Sequence, residues 1–233
     1  MSTAGMRGIL MKTISMKDIH LKYLVYFLIL LTLSPFLWLF TKTELMGSFG
    51  SSYANISGLI GAVLMLWQVI LSNRFLIGKL TPDYVYSIKL HALLGIYGFF
   101  FIMSHPVLEL FSYGEKISFL FLPDFTTTNG IYIALGRSAL YLYLIVWITS
   151  ALIRDKIPYR FWRYLHYLSY PMLLLVFIHG ALVGTLLNTY PPLRYYWIFL
   201  AAVYTIFVVL RLLYWLNSGL FSSSNASSFD HFE

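Results

Sequence analysis

The 233-residue chain contains no cysteine. That excludes disulfides, thiolate ligation of iron–sulfur clusters or haem, and covalent c-type haem attachment, while leaving the compartment open. Charge is scarce as well: Asp, Glu, Lys and Arg make up 11% of the residues, against about 25% in a soluble domain. No glycine-rich dinucleotide fingerprint occurs anywhere, which removes the usual sign of nucleotide binding. Soluble stretches between the apolar runs are missing too. What is present is 59% hydrophobic and falls into six apolar runs, near Tyr23–Thr41, Ala54–Ser72, Ile88–Phe111, Ile131–Leu152, Phe161–Leu187 and Tyr195–Leu216. Each is long enough to cross a hydrocarbon core about 30 Å thick. The runs are continuous rather than alternating. The expected fold is therefore all-α, an integral membrane six-helix bundle in a lipid bilayer, and not a barrel.

Three regions are expected: an N-terminal segment (1–22), the six-helix domain (23–216) and a Ser-rich, disordered tail (217–233). The lead is basic, with Arg7, Lys12, Lys17 and Lys22, but no small-residue cleavage site follows, so the first run reads as a retained helix. The tail beyond Leu216 is too short for a flavin or nicotinamide domain. Six spans put both termini on one side. Arg7, Lys12, Lys17, Lys22, Arg74, Lys79, Lys89, Arg154, Lys156, Arg160 and Arg163 share that side, and only Lys42, Lys116 and Arg194 face the other. The positive-inside rule makes the first side, and both termini, cytoplasmic. The net charge of +7 is then explained by topology, and no nucleic-acid partner is expected. The expected location is a multi-pass position in the plasma (bacterial inner) membrane.

Within this apolar background stand four histidines: His91 and His105 on the third run, His166 and His179 on the fifth. An ionisable residue at membrane depth is costly and marks a functional site by default. Both runs cross in the same direction, so His91 and His166 share one depth and His105 and His179 another, about 20 Å away along the helices. Two pairs at two depths suit two stacked planar cofactors, and haem iron ligated by histidine on both faces is the natural candidate. Fourteen residues bring His91 and His105 back to one helical face, with Gly95 and Gly98 between them as a smooth wall for a porphyrin or as a helix-packing notch. Thirteen residues leave His166 and His179 about 140° apart on an ideal helix. Either Pro171 between them reshapes the helix or the two cofactors approach it from different sides. Arg137, and Arg163 with Arg160, are candidate partners for haem propionates, the latter two competing with the plain positive-inside bias. His20 and His231 lie outside this pattern.

The double pair of histidines resembles the ferric reductase-like transmembrane domain of NADPH oxidases and ferric reductases. The stretches Leu90-His-Ala-Leu-Leu-Gly, Phe161-Trp-Arg-Tyr-Leu-His-Tyr-Leu-Ser-Tyr and Val176-Phe-Ile-His-Gly carry the likeness, which covers roughly residues 55–215. The resemblance implies a six-helix bundle holding two haem b groups, with the first histidine of each helix paired and the second of each helix paired. It implies an oxidoreductase, or its membrane subunit, moving electrons from a cytoplasmic or membrane donor to an extracytoplasmic acceptor such as oxygen, ferric iron or a redox protein. With no nucleotide fingerprint, the expected donor is a separate flavin reductase or a quinol. Two alternatives stand beside it: the haem-binding membrane subunit of a periplasmic methionine sulfoxide reductase system, and a non-redox bundle whose histidines are polar glue or a proton relay.

Overall fold

The computed structural model describes residues 16–42, 49–73, 84–114 and 116–226. Arg7, Lys12, Arg74, Lys79, the Pro82–Asp83 turn, His231 and the last part of the expected tail lie outside the described residues. Every regular element among the described residues is helical: α1 (Met16–Leu37), α2 (Phe49–Ser72), α3 (Tyr84–Tyr113), α4 (Thr128–Ala151), α5 (Tyr159–Tyr167), α6 (Ser169–Val183), α7 (Thr185–Thr189) and α8 (Pro191–Ala226), with short 3-10 turns between some of them. Six stretches are long and apolar enough to cross a membrane, and they follow the six apolar runs of the sequence.

The spans are not equivalent. In α2, 83% of the apolar window is buried inside the protein, against 17–28% in the other five. A helix apolar all round belongs at the centre of a bundle, and α2 is that helix. It packs most extensively along α3, while α4 packs most extensively along α6, giving two helix pairs. α8 closes the bundle: Trp197, 2% exposed, donates its indole N–H to Phe177 O at 3.0 Å, and Tyr204 donates to Tyr170 O at 2.6 Å.

The fifth span is two helices, broken at Leu168. Pro171 explains the break. It has no N–H to offer the carbonyl of Tyr167, and its ring clashes with that carbonyl. The chain tightens instead into a bond from Leu168 N to Leu165 O at 3.1 Å and resumes with Met172 N to Leu168 O. The reshaped helix, rather than an unbroken one, is how this span handles its 13-residue histidine spacing. The last helix also differs from expectation, running through the first ten residues of the stretch read as tail, to Ala226. Serine lowers helix propensity only mildly, and no proline stands there to stop it.

Between α3 and α4 the chain turns at Gly114, whose φ of +63° is the left-handed conformation that glycine adopts without strain. Thr127 caps α4, its hydroxyl accepting from Gly130 N at 2.9 Å. Just before it, the hydroxyl and amide of Thr126 both donate to Asp124 Oδ1, holding that carboxyl below the usual carboxylate range.

Candidate functional site

The four histidines meet in two pairs across the gap between the helix pairs. The ring centres of His91 and His166 lie 6.0 Å apart, and those of His105 and His179 lie 6.4 Å apart. The first pair is at the end of the bundle carrying Arg154, Lys156, Arg160 and Arg163, here the basic end; the second is near the opposite, far end. Two imidazole nitrogens about 2 Å from a single metal would put the ring centres about 6 Å apart. Each pair therefore leaves room for one metal atom.

The second ring nitrogen of each histidine is tied to the neighbouring helix. His91 Nδ1 lies 3.1 Å from Gln68 O and His105 Nδ1 lies 2.9 Å from Ala54 O, both on α2. On α4, His179 Nδ1 lies 2.9 Å from Tyr132 O and His166 Nδ1 lies 3.1 Å from Ser150 Oγ. A carbonyl only accepts, so the three backbone contacts place the proton on Nδ1 and leave Nε2 with its lone pair. That is the tautomer a metal-binding imidazole needs, and the tie that orients it.

Backbone carbonyls inside a helix are normally covered by the side chain four residues on, because Cβ atoms tilt toward the N-terminus. Here two of them are uncovered by glycine. Gly58 follows Ala54 by four, and a Cβ there would stand 3.1 Å from the His105 ring. Gly136 follows Tyr132 by four, and a Cβ there would stand 2.6–2.8 Å from the His179 ring. These are the glycines that seat the far-end histidines. At Gly95 and Gly98 a Cβ would instead meet the Gln68 side chain at 3.4–3.5 Å, on the side where α3 packs on α2.

A cavity of about 670 Å³ opens around the far-end pair, lined by His105, His179, Gly58, Gly136, Arg137 and Tyr143 among others. Arg137 is 7% exposed; it donates from a terminal nitrogen to Leu122 O at 2.5 Å and lies over the Phe119 ring at 4.2 Å. Its Nε, and the hydroxyl of buried Tyr143, find no hydrogen-bond partner among the described residues. Asp124 is within electrostatic reach of this guanidinium, but no carboxylate among the described residues forms an ion pair with it, so its free Nε can take an anionic group inside that cavity.

The basic end is built differently. Arg163 and Arg160 are exposed, and the Arg163 guanidinium lies 5.7 Å from the Tyr159 ring centre. Arg211 of α8, not singled out in the sequence, is half-buried and donates to Ser72 O at 2.9 Å. Its signal was an arginine inside the last apolar run. Among the described residues, no three His, Asp or Glu gather as a bare-ion site; each pair offers two imidazoles and nothing more. A metal there needs its other ligands from elsewhere, as a porphyrin provides them.

Compared with known protein families, residues 57–177 match the model of the ferric reductase-like transmembrane component. The chain belongs to this family. The match includes His91, His105 and His166, and His179 stands two residues beyond its end. No curated protein and no solved structure matches the chain. Membership in the ferric reductase-like family places the chain among oxidoreductase-related, multi-pass membrane proteins and points to electron transfer across the bilayer.

Proposed function

We propose that this ferric reductase-like protein carries electrons across a membrane through two b-type haems, one on His91 and His166 and one on His105 and His179. The observation that carries the reading is the paired geometry: two imidazole couples about 6 Å apart, with three of the four histidines tied back to backbone carbonyls through Nδ1. Bound haem supplies the one-electron ferric/ferrous couple at each site. The protein supplies the rest. Its histidines would hold the two groups at two depths, and α2 and α4 hold the rings in place. Arg137 offers its buried charge to a propionate at the far end. Gly95, Gly98 and Arg163 contribute to packing and surface charge instead.

The charge bias sets direction. The basic end, with both termini, faces the cytoplasm, so electrons enter at His91 and His166 and leave beside His105 and His179 to an extracytoplasmic acceptor. The donor in this reading is a flavin reductase or a quinol on the cytoplasmic or membrane side. The test is direct. Purified protein should show a bis-histidine b-type spectrum with two haems per chain, reducible by dithionite and not by NADPH alone. A colourless preparation after expression with ample haem supply overturns the reading and leaves a non-redox bundle. Rapid reduction by NADPH in the absence of flavoprotein overturns the assignment of the donor.

A further inference from the structure

The four ties on the histidines are not alike. Three end on carbonyls, which can only accept. The fourth, on His166, ends on the Ser150 hydroxyl, which accepts and donates. That oxygen is already engaged, since the Trp162 indole N–H donates to it at 3.3 Å. The same indole stacks on the His166 ring, with centres 5.0 Å apart and planes 27° from parallel. The arrangement follows from register. Gln68 and Ala54 are 14 residues apart on α2, as are His91 and His105 on α3, so one carbonyl contact repeats at both depths. His166 and His179 are 13 apart across the break at Leu168, whereas Ser150 and Tyr132 are 18 apart on α4. The repeat fails there, and a side chain stands where a carbonyl would be.

We infer that Ser150 and Trp162 are positioning residues that tune the basic-end site through His166; the inference rests on the haem reading above. With Nε2 on a metal, His166 Nδ1–H must donate to Ser150 Oγ. An oxygen that also accepts from Trp162 is a poorer acceptor than a carbonyl. It draws the Nδ1 proton less, leaves the imidazole less electron-rich, and supports the ferric state less. The pair thus raises the reduction potential of the basic-end site above what a carbonyl-backed histidine would give, easing entry of electrons from a weak reductant.

The test is a redox titration of the haem-loaded protein, following the basic-end signal. Ser150→Ala removes the acceptor and should move that potential upward, by about fivefold in the electron-sharing equilibrium between the two sites, the size of one hydrogen bond. Trp162→Phe keeps an aromatic ring over His166 but frees the serine oxygen, and should move the potential downward. Ser150→Thr keeps the hydroxyl and should stay at wild type. In the Ser150→Ala background, Trp162→Phe should add nothing, because the two act through one oxygen. Unmoved potentials, or shifts of the same sign in both single variants, overturn the inference. If Ser150→Ala does not assemble, Trp162→Phe decides alone: a downward shift supports it, and no shift or an upward one sinks it. Wild-type protein without haem would instead defeat the reading on which it rests.

Discussion

The far-end and basic-end histidine pairs have nearly the same separation, 6.4 and 6.0 Å, and one carbonyl tie each from α2, but their surroundings differ. The far end is a notch cut by glycine. Gly58 and Gly136 remove the side chains that would cover Ala54 O and Tyr132 O, a cavity of about 670 Å³ adjoins the rings, and buried Arg137 waits beside it. At the basic end, Trp162 stacks on His166, Ser150 takes the place of a carbonyl, and Arg160 and Arg163 lie at the surface. One ligand geometry is thus set in two environments. On the proposed haem reading, ligation is the shared requirement, and affinity and potential are where the sites part.

The sharpest way to test that division is to remove ligands singly. His105→Ala or His179→Ala should abolish the far-end haem and leave the other, taking the haem-to-protein ratio from about two to about one. His91→Ala or His166→Ala should do the converse. A variant that keeps the full wild-type spectrum removes its histidine from the site.

The next effect falls on the far end alone. Gly136→Ala puts a methyl group within 3 Å of the His179 ring, which must leave Tyr132 O or push α4 and α6 apart. Overpacking of this kind costs about 1–3 kcal/mol. Far-end haem content and the melting temperature should both drop, with the basic-end spectrum unchanged. Gly58→Ala, with 3.1 Å to the His105 ring, should do the same more mildly. Equal loss at both ends in Gly136→Ala would mean that the notch serves the whole bundle and not one histidine.

Much of this was legible from the residues, but only down to a certain scale. The six spans follow from apolar runs, and the matched depths of the histidines follow from spacing and crossing direction. The glycine notches are another matter. Gly95 and Gly98 share a helical face with His91 and His105, so they drew attention, yet that face also turns toward Gln68 on α2. Gly58 and Gly136 lie on other helices from the histidines they seat, and no spacing rule within a helix finds them. The carbonyls they expose have no letter in the sequence at all. Trp162 stands four residues before His166 on α5, so its contact with that ring follows from helical spacing. Ser150 was silent for a related reason: it lies on another helix, and the register that brings it to His166 departs from the repeat at the break at Leu168. Pro171 made some distortion there foreseeable, though not its place or its consequence for register.

Arginine sharpens the contrast further. Arg137 is buried and its Nε has no hydrogen-bond partner among the described residues, whereas Arg163 is exposed. A hydrogen bond to a charged group is worth about 1.5–3 kcal/mol, so Arg137→Gln should weaken far-end haem retention about tenfold or more and lower that site's potential. Arg163→Gln should leave haem content and both potentials near wild type, since a surface change away from such features stays within about 0.5 kcal/mol. Haem loss on dilution, measured for the two variants side by side, checks both. Equal losses would erase the distinction between a buried partner and a topological charge.

The smallest effects belong to the glycines that the sequence singled out. A methyl group at Gly98 would meet Gln68 Nε2 at 3.5 Å and Leu64 Cβ at 3.8 Å, and one at Gly95 would meet Gln68 Oε1 at 3.4 Å. These are ordinary or slightly tight contacts with the end of a flexible side chain and a neighbouring helix, not with a histidine ring. Replacing helical glycine by alanine also gains up to about 1 kcal/mol of propensity. Gly98→Ala should therefore keep both haems, hold both potentials and melt at or slightly above the wild-type temperature. Gly95→Ala should behave alike, with less gain because its contact is tighter. Loss of haem in Gly98→Ala, with Gly136→Ala unaffected, would reverse the assignment: α3 would then carry the wall of the site, and the notch on α4 would be packing. The comparison of these two alanine variants, one facing Gln68 and one facing His179, separates the helix-packing role from the histidine-seating role with a single methyl group in each.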